Sequence, residues 1–498
     1  MNTGQPEVVA PSAPGPPPAA EAAPADPPAK HKSEFTIRRF VESAALFLCA
    51  VILLRSIAVE PFGVPTGSMA PTMAGNHKGC ICPRCGYPML VGSNAGAHND
   101  LAASQRGYAT AFCPNCYQGD LGLDAVPETA GDRLLVDKNI FEMRRPRRWE
   151  VAIFRCPSDP TKPYVKRVVA LPGEQVQLRD GDVYINGELS RKTLAEAKAM
   201  RVTVFDNDYQ PKGGGWKLRW RSGQPQEWLA NMLLGEADDR LDGTELKWPE
   251  ANARDGFRWL LYRHWLLDER QEQPIRDAFA YNGGALRHEL KNVHDFLVEM
   301  EVEVGGGSGT FAVGLRDGHD DVTAEIAAGH SEPARVRDAA GKLLAEGPAF
   351  HLAAGRTYRV LFSFVDRRVS LSIDGNELLP ALDRPPAADR RSVSRPVWLG
   401  VQGVAATVRH FRLDRDVHYS GTGRNGVFEP WPLGRDEFFM LGDNSANSED
   451  SRYWSIPGVP ASAFMGKPLL LHQPSRWVTI GPGWDLQTID WQRVRWIR

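Results

Sequence analysis

The apolar positions of this chain change pattern along its length, and the changes mark out its parts. Residues 1–34 are rich in Pro and Ala and show no apolar period. Such a segment cannot bury enough surface to offset the entropy of ordering it, so it reads as a disordered cytoplasmic tail. An apolar run follows over Phe40–Val59, the body of an anchor expected at 38–59, unbroken from 44 to 54. About 20 such residues are what a helix needs to cross a bilayer. Glu42 sits at one end, and Arg55 can snorkel at the other. Lys30, Lys32, Arg38 and Arg39 precede the run and Glu60 follows it. The positive-inside bias then predicts a single-pass anchor, with the N-terminus cytoplasmic and everything after Val59 extracytoplasmic. A buried soluble helix is the competing reading of so short a run. The long tail ahead of it argues against a cleaved leader.

Further on the period becomes two. Phe296–Val304 alternates through Val298, Met300, Val302 and Val304, and Thr357–Val365 and 369–373 do likewise. Asp374-Gly375 turns the chain into a strand at 377–379, and 397–401 and 406–413 follow. Regular short strands with Gly and Asp turns predict a β-sandwich within 197–424. With 47 Gly and 38 Pro in 498 residues, the fold class expected is mainly β, in two or three domains. The net charge of −2 offers no basic face for phosphates, which excludes a nucleic-acid partner.

Candidate chemistry lies just after the apolar run. Val64-Pro65-Thr66-Gly67-Ser68-Met69-Ala70-Pro71-Thr72-Met73 places a serine in a Pro-bracketed loop. A serine attacks an amide only with a base at hand, usually a histidine oriented by a carboxylate. Of the 12 histidines only His77 lies near the motif segments. A lysine can substitute if burial lowers its pKa by several units from about 10.4. Tyr164-Val165-Lys166-Arg167-Val168-Val169-Ala170-Leu171-Pro172-Gly173 supplies such a lysine. On a strand Tyr164, Lys166 and Val168 share one face, so the amine emerges among hydrophobic side chains. Each residue alone has a plainer reading, Ser68 as a turn serine and Lys166 as a surface lysine.

Two further strings change that balance, Gly131-Asp132-Arg133-Leu134-Leu135-Val136-Asp137-Lys138 and Gly442-Asp443-Asn444-Ser445-Ala446-Asn447-Ser448-Glu449-Asp450-Ser451-Arg452. The serine, lysine and Gly-Asp-Asn strings, in that order, resemble the type I (leader) signal peptidase family, and the 131–138 string fits the same family. The resemblance implies that Ser68 is the nucleophile and Lys166 the general base. It implies an oxyanion hole of the Thr66 hydroxyl and the Ser68 N–H, and a Ser448 bonded to the base lysine. Asp450 and Arg452 become a supporting ion pair, with Gly67, Asp443 and Asn444 as further support. The implied fold is a mostly antiparallel β catalytic domain in three parts, 60–79, 128–195 and 425–498 with the C-terminal tail, bound to the cytoplasmic membrane and its lipid. Exported preproteins would bind as an added β-strand, and catalysis would need no cofactor. Many family members carry Arg-Asp where this chain has Ser445-Ala446, which puts the details of loop support in question. Two rivals remain: a catalytically silent, membrane-tethered scaffold, and a self-cleaving Ser/Lys peptidase of the repressor-processing type. The anchor and the lack of a DNA-reading segment weigh against the second.

The remaining motifs lie in insertions. Residues 80–120 hold five of the seven cysteines, with C-x2-C pairs at Cys82/Cys85 and Cys113/Cys116. The pairs resemble a zinc ribbon, with one loop longer than usual. Two disulfides are the alternative outside the cytoplasm. Four thiolates would leave no open metal position, so either arrangement is structural. Cys80 and His77 are spare ligands, Cys49 reads as membrane-core packing and Cys156 as a buried strand end. In the sandwich, Arg356-Thr357-Tyr358-Arg359-Val360-Leu361-Phe362, Ser372-Ile373-Asp374-Gly375-Asn376 and Trp398-Leu399-Gly400-Val401 resemble a concanavalin A-like (laminin G-like) jelly roll. Such a domain implies a glycan or protein ligand. Trp216, Trp220, Trp259 and Trp265 either stack on sugars or fill the core.

Overall fold

The computed structural model describes residues 37–57, 59–93, 110–214, 216–225, 241–250, 256–283, 290–481 and 484–497. The expected tail over 1–34 lies outside them. Ile37–Ile57 forms a 21-residue helix, with Phe40, Val41, Leu46, Phe47 and Leu48 exposed. Among the described residues no helix is long and apolar enough to cross a membrane. The anchor expected over 38–59 therefore rests on the sequence pattern.

The chain is mainly β. Segments far apart in sequence meet in one eight-stranded antiparallel sheet, ordered Val59–Gly63, Arg133–Asp137, Phe464–Gln473, Val151–Cys156, Asp159–Ala170, Glu437–Leu441 and Gly458–Pro460. Arg495–Trp496 adds to Phe464–Gln473. The strand Asp159–Ala170 lies inside this sheet, pairing Lys166 with Ala152 and Arg167 with both Val151 and Leu441. Its last six residues are all buried. A sheet covered on both sides needs apolar residues on both faces, which explains the continuous run rather than alternation. Val151, Ile153, Val165, Met69 and Met73 fill one core, and Ala152, Phe154, Val168, Met440 and Trp454 another. A four-stranded sheet of Glu188–Leu189, Asp182–Ile185, Gln175–Arg179 and Trp431–Pro432 extends the frame.

The helix Leu194–Met200, started by a capping box at Thr193 and Glu196, leads into the long insertion. There a nine-stranded and a seven-stranded sheet share one large core, which includes Val298, Met300, Val302, Phe311, Val360, Phe362, Leu399 and Phe411. Phe296–Val304 and Thr357–Val365 form as expected. The strand expected at 377–379 is instead Asn376–Glu377, because Leu378 and Leu379 turn into the core. Trp220 and Trp265 are buried. Their area goes into packing, and neither is a sugar platform. Trp259 is half-buried and stacks on Phe257 at 4.6 Å. Trp216 packs edge-on to Trp265 beside the cysteine cluster.

Candidate active site

Two elements meet at Lys166. The strand Asp159–Ala170 carries it into a fully buried position. The turn after Glu437–Leu441 brings Ser448, and Lys166 Nζ donates to Ser448 Oγ at 2.9 Å. Ser448 Oγ in turn donates to Asp450 Oδ2 at 2.7 Å. Asp450 and Arg452, both buried, form a fork-to-fork ion pair with Nε–Oδ1 of 2.9 Å and Nη2–Oδ2 of 2.8 Å. Burial drives the Lys166 ammonium pKa down to about 8; Asp450 pulls it up, and Arg452 adds to the lowering. Burial alone would raise the Asp450 carboxyl, but the guanidinium beside it holds it below the usual range. An anion that is already paired with Arg452 restores less charge to the lysine than a free one would, so desolvation wins.

Ser68 sits half-exposed in the short 3-10 turn Gly67–Met69, entered from Thr66 in extended conformation. Thr66 Oγ1 and Ser68 Oγ are 3.5 Å apart, longer than the roughly 2.5–3.0 Å of an O–H···O bond. The loop is held mainly by its backbone. Asn444 N–H donates to Ser68 O and Asn444 Nδ2 to Gly67 O, both at 3.0 Å. Gly442 must be glycine for this approach, since a Cβ there would lie 2.2 Å from Ser448 Oγ and 2.5 Å from Ser68 O. Asp443 reaches the other side. Its carboxylate takes Arg167 Nε at 2.7 Å and Nη2 at 2.6 Å, and the Thr72 hydroxyl at 2.5 Å. The buried Arg167–Asp443 pair thus ties the lysine strand, the Gly-Asp-Asn loop and the serine loop together. Chemically the arrangement offers a half-exposed hydroxyl and a buried amine of lowered basicity, held in one rigid frame.

Residues 125–222 and 389–472 match the family model described as signal peptidase, peptidase S26. The likeness to that family is confined to the matched segments. They include Lys166, Ser448, Asp450 and Arg452, and begin after Ser68. The signal peptidase I of Rickettsia typhi is 28% identical over 162 residues, 32% of this chain and 48% of its own length. That of Rickettsia akari is 30% identical over 30% of this chain and 44% of its own. The Pseudomonas fluorescens signal peptidase I is 32% identical, covering 30% and 38%. The chain spans about half the length, or less, of these curated relatives. Among solved structures, the carbohydrate binding module CBM66 from Bacillus subtilis is 13% identical at a TM-score of 0.24, covering 40% of this chain and 96% of that one. A galectin-like protein of unknown function from Bacillus subtilis is 11% identical at 0.23, covering 34% and 81%. At these scores the likenesses carry no argument about a ligand.

Within the matched segments, the departure at Ser445-Ala446 is answered locally. Arg452 Nη1 donates to Ser445 Oγ at 2.8 Å, Nη2 donates to Ser445 O at 2.8 Å, and Ser420 N–H donates to the same hydroxyl at 2.8 Å. Arg452 thus bonds the loop directly at Ser445. Sequence reasoning missed Arg167, although its place beside Lys166 puts it on the opposite strand face and hence inside. It also missed Asn282, Tyr281 and Arg495. Arg495 Nη2 donates to Thr72 O at 2.7 Å.

The cysteine centre stands apart. The hairpin of His77–Ile81 and Pro88–Gly92 and a second knuckle after Thr110–Ala111 bring Cys82, Cys85, Cys113 and Cys116 together, all buried, with sulfurs within 4.8 Å of one another. Cys82 and Cys116 sulfurs are 3.7 Å apart, Cys85 and Cys113 3.6 Å. Four thiolates about 2.3 Å from a tetrahedral zinc are spaced by about 3.8 Å, which these distances fit, whereas a disulfide needs about 2.05 Å. All the cysteines are free. His77 is occupied elsewhere, its Nδ1 2.8 Å from Gly75 O.

Proposed function

We propose that this chain is a membrane-bound signal peptidase I that cleaves leader peptides from exported preproteins by a Ser/Lys mechanism. The observation that carries the proposal is the buried Lys166–Ser448–Asp450–Arg452 chain behind the Ser68 loop. Neutral Lys166 takes the proton from Ser68 Oγ as that oxygen attacks the scissile carbonyl carbon. The developing oxyanion is received by the Ser68 N–H and the Thr66 hydroxyl. Lys166 then gives its proton to the departing amine, which leaves as the new N-terminus of the mature protein. Lys166, neutral again, deprotonates a water that attacks the Ser68 ester carbonyl and returns that proton to Ser68 Oγ as the C–O bond breaks, releasing the leader with a new C-terminal carboxyl group that ionises in solvent. Ser448, tied to Asp450, fixes the lysine rotamer, so that the Nζ lone pair can serve Ser68. The anchor over 38–59 and its cytoplasmic-membrane location belong to the same proposal, resting on the apolar run and the flanking charges. So does a structural zinc at Cys82, Cys85, Cys113 and Cys116, where it would replace apolar core in a small module. Cleavage of a model preprotein by the detergent-solubilised chain, beside its Ser68→Ala and Lys166→Ala variants, tests the activity. Turnover that survives either substitution would sink the dyad. A folded wild type without turnover would favour the binding scaffold.

A further inference from the structure

The inserted sandwich touches the serine loop through a short turn, Ala280–Asn282. Tyr281 from this turn is buried with Ala70 and Ala74 and lies nearly parallel to Phe279. Its ring covers Gly67 so closely that a Cβ there would be 2.3 Å away. The next residue, Asn282, exchanges two amide bonds with Asn444. Asn282 Nδ2 donates to Asn444 Oδ1 at 2.8 Å, and Asn444 Nδ2 donates to Asn282 Oδ1 at 2.7 Å. The same Asn444 Nδ2 donates to Gly67 O. A carbonyl oxygen only accepts, so this bond fixes which way the Asn444 amide faces, and the reciprocal pair then fixes Asn282.

Gly67 C=O and Ser68 N–H belong to one planar peptide group. Whatever holds Gly67 O therefore also aims the N–H assigned to the oxyanion hole. We propose that Tyr281 and Asn282 are how the inserted domain sets the nucleophile loop, with Asn282 a positioning residue acting through Asn444. Tyr281 closes one side of the peptide plane by contact, and Asn282 locks the amide that grips its carbonyl. Gly67 O also accepts from Ala70 N–H at 3.1 Å, so removing Asn282 lets the Asn444 amide rotate and leaves the peptide plane held by one bond in place of two. The oxyanion exists only after attack, so the loss falls on the transition state and not on substrate binding. The inference rests on the peptidase reading, and its test is arranged to separate the two.

The test uses the full chain in detergent. In Asn282→Ala, kcat on a model preprotein is expected to fall about tenfold, the scale of one or two neutral hydrogen bonds, with KM within about twofold. The Asn282→Ala/Asn444→Ala double variant should be no slower than Asn444→Ala, because both act through one grip. Amide hydrogen exchange gives an arm independent of turnover. Peptides covering 66–73 should exchange several-fold faster in Asn282→Ala, while the sandwich strand Phe296–Val304 keeps its wild-type protection. If the Ala variant loses that protection as well, Asn282→Asp replaces it, since it still accepts from Asn444 Nδ2 but has no amide to donate. Unchanged exchange at 66–73 overturns the inference, as do an unchanged kcat, a change in KM alone or additive variants. A wild type with no turnover sinks the peptidase reading instead, and the exchange arm still decides the positioning role.

Discussion

The sharpest consequence of the site concerns Lys166 and pH. With its pKa lowered to about 8 by burial, the amine is neutral in about 9% of molecules at pH 7, against about 0.03% at the ordinary value of about 10.5. That ratio, of order 10²–10³, corresponds to about 3 kcal/mol of general-base readiness supplied by desolvation. Initial rates on a model preprotein at substrate well below KM, taken from pH 5.5 to 9.5, give kcat/KM for the free enzyme. It should rise about tenfold per pH unit up to about pH 7 and level off through about pH 8. The same shift carries a stability cost whose sign follows from linkage. A lysine pKa lower in the folded than in the unfolded chain means that the folded state binds fewer protons. The penalty is complete below about pH 8, fades between about pH 8 and 10.5, and is absent above. Lys166→Met should therefore abolish cleavage while stabilising the fold by about 1–3 kcal/mol at pH 6, after the loss of the bond to Ser448, with a smaller gain at pH 10. Urea unfolding at both pH values measures this. A flat kcat/KM between about pH 6 and 9, a midpoint near 6.5 as for a histidine, or a Lys166→Met variant destabilised more at pH 6 than at pH 10 would refute the reasoning.

Other outcomes follow from the same geometry. Thr66→Val removes one oxyanion donor and should lower kcat by about 10²–10³ with little change in KM, which steady-state kinetics on the same preprotein would show. Arg167→Ala leaves the Asp443 carboxylate buried and unpaired, and should cost about 3–5 kcal/mol in urea unfolding. A milder loss in Arg167→Met/Asp443→Leu would confirm that the unpaired charge is the cause, and equal losses would argue against it. Elemental analysis should find about one zinc per chain, and Cys113→Ser should abolish it and raise exchange in peptides covering 77–92. Absent zinc in wild type together with no titratable thiols would return the cluster to disulfides.

Much of the catalytic frame was legible in the sequence because its chemistry is local. The serine loop, the lysine strand and the Gly-Asp-Asn string each carry their residue types at fixed short spacings, and period-two apolar runs marked Phe296–Val304 and Thr357–Val365 as strands. Paired C-x2-C spacing likewise foretold which four cysteines lie together, because each pair needs only a tight turn to converge. Only the tertiary structure decided how these pieces meet. Whether Lys166 is buried depends on strands contributed from about 150 and 440, far beyond any local pattern. The burial of Trp220 and Trp265 was settled by the facing sheet, since an aromatic on a strand reads alike whether it faces core or solvent. The contact of Asn282 with Asn444 joins residues 162 positions apart. Nothing in a lone asparagine marks it as a partner, because a hydrogen bond across that distance exists only once the intervening chain has packed.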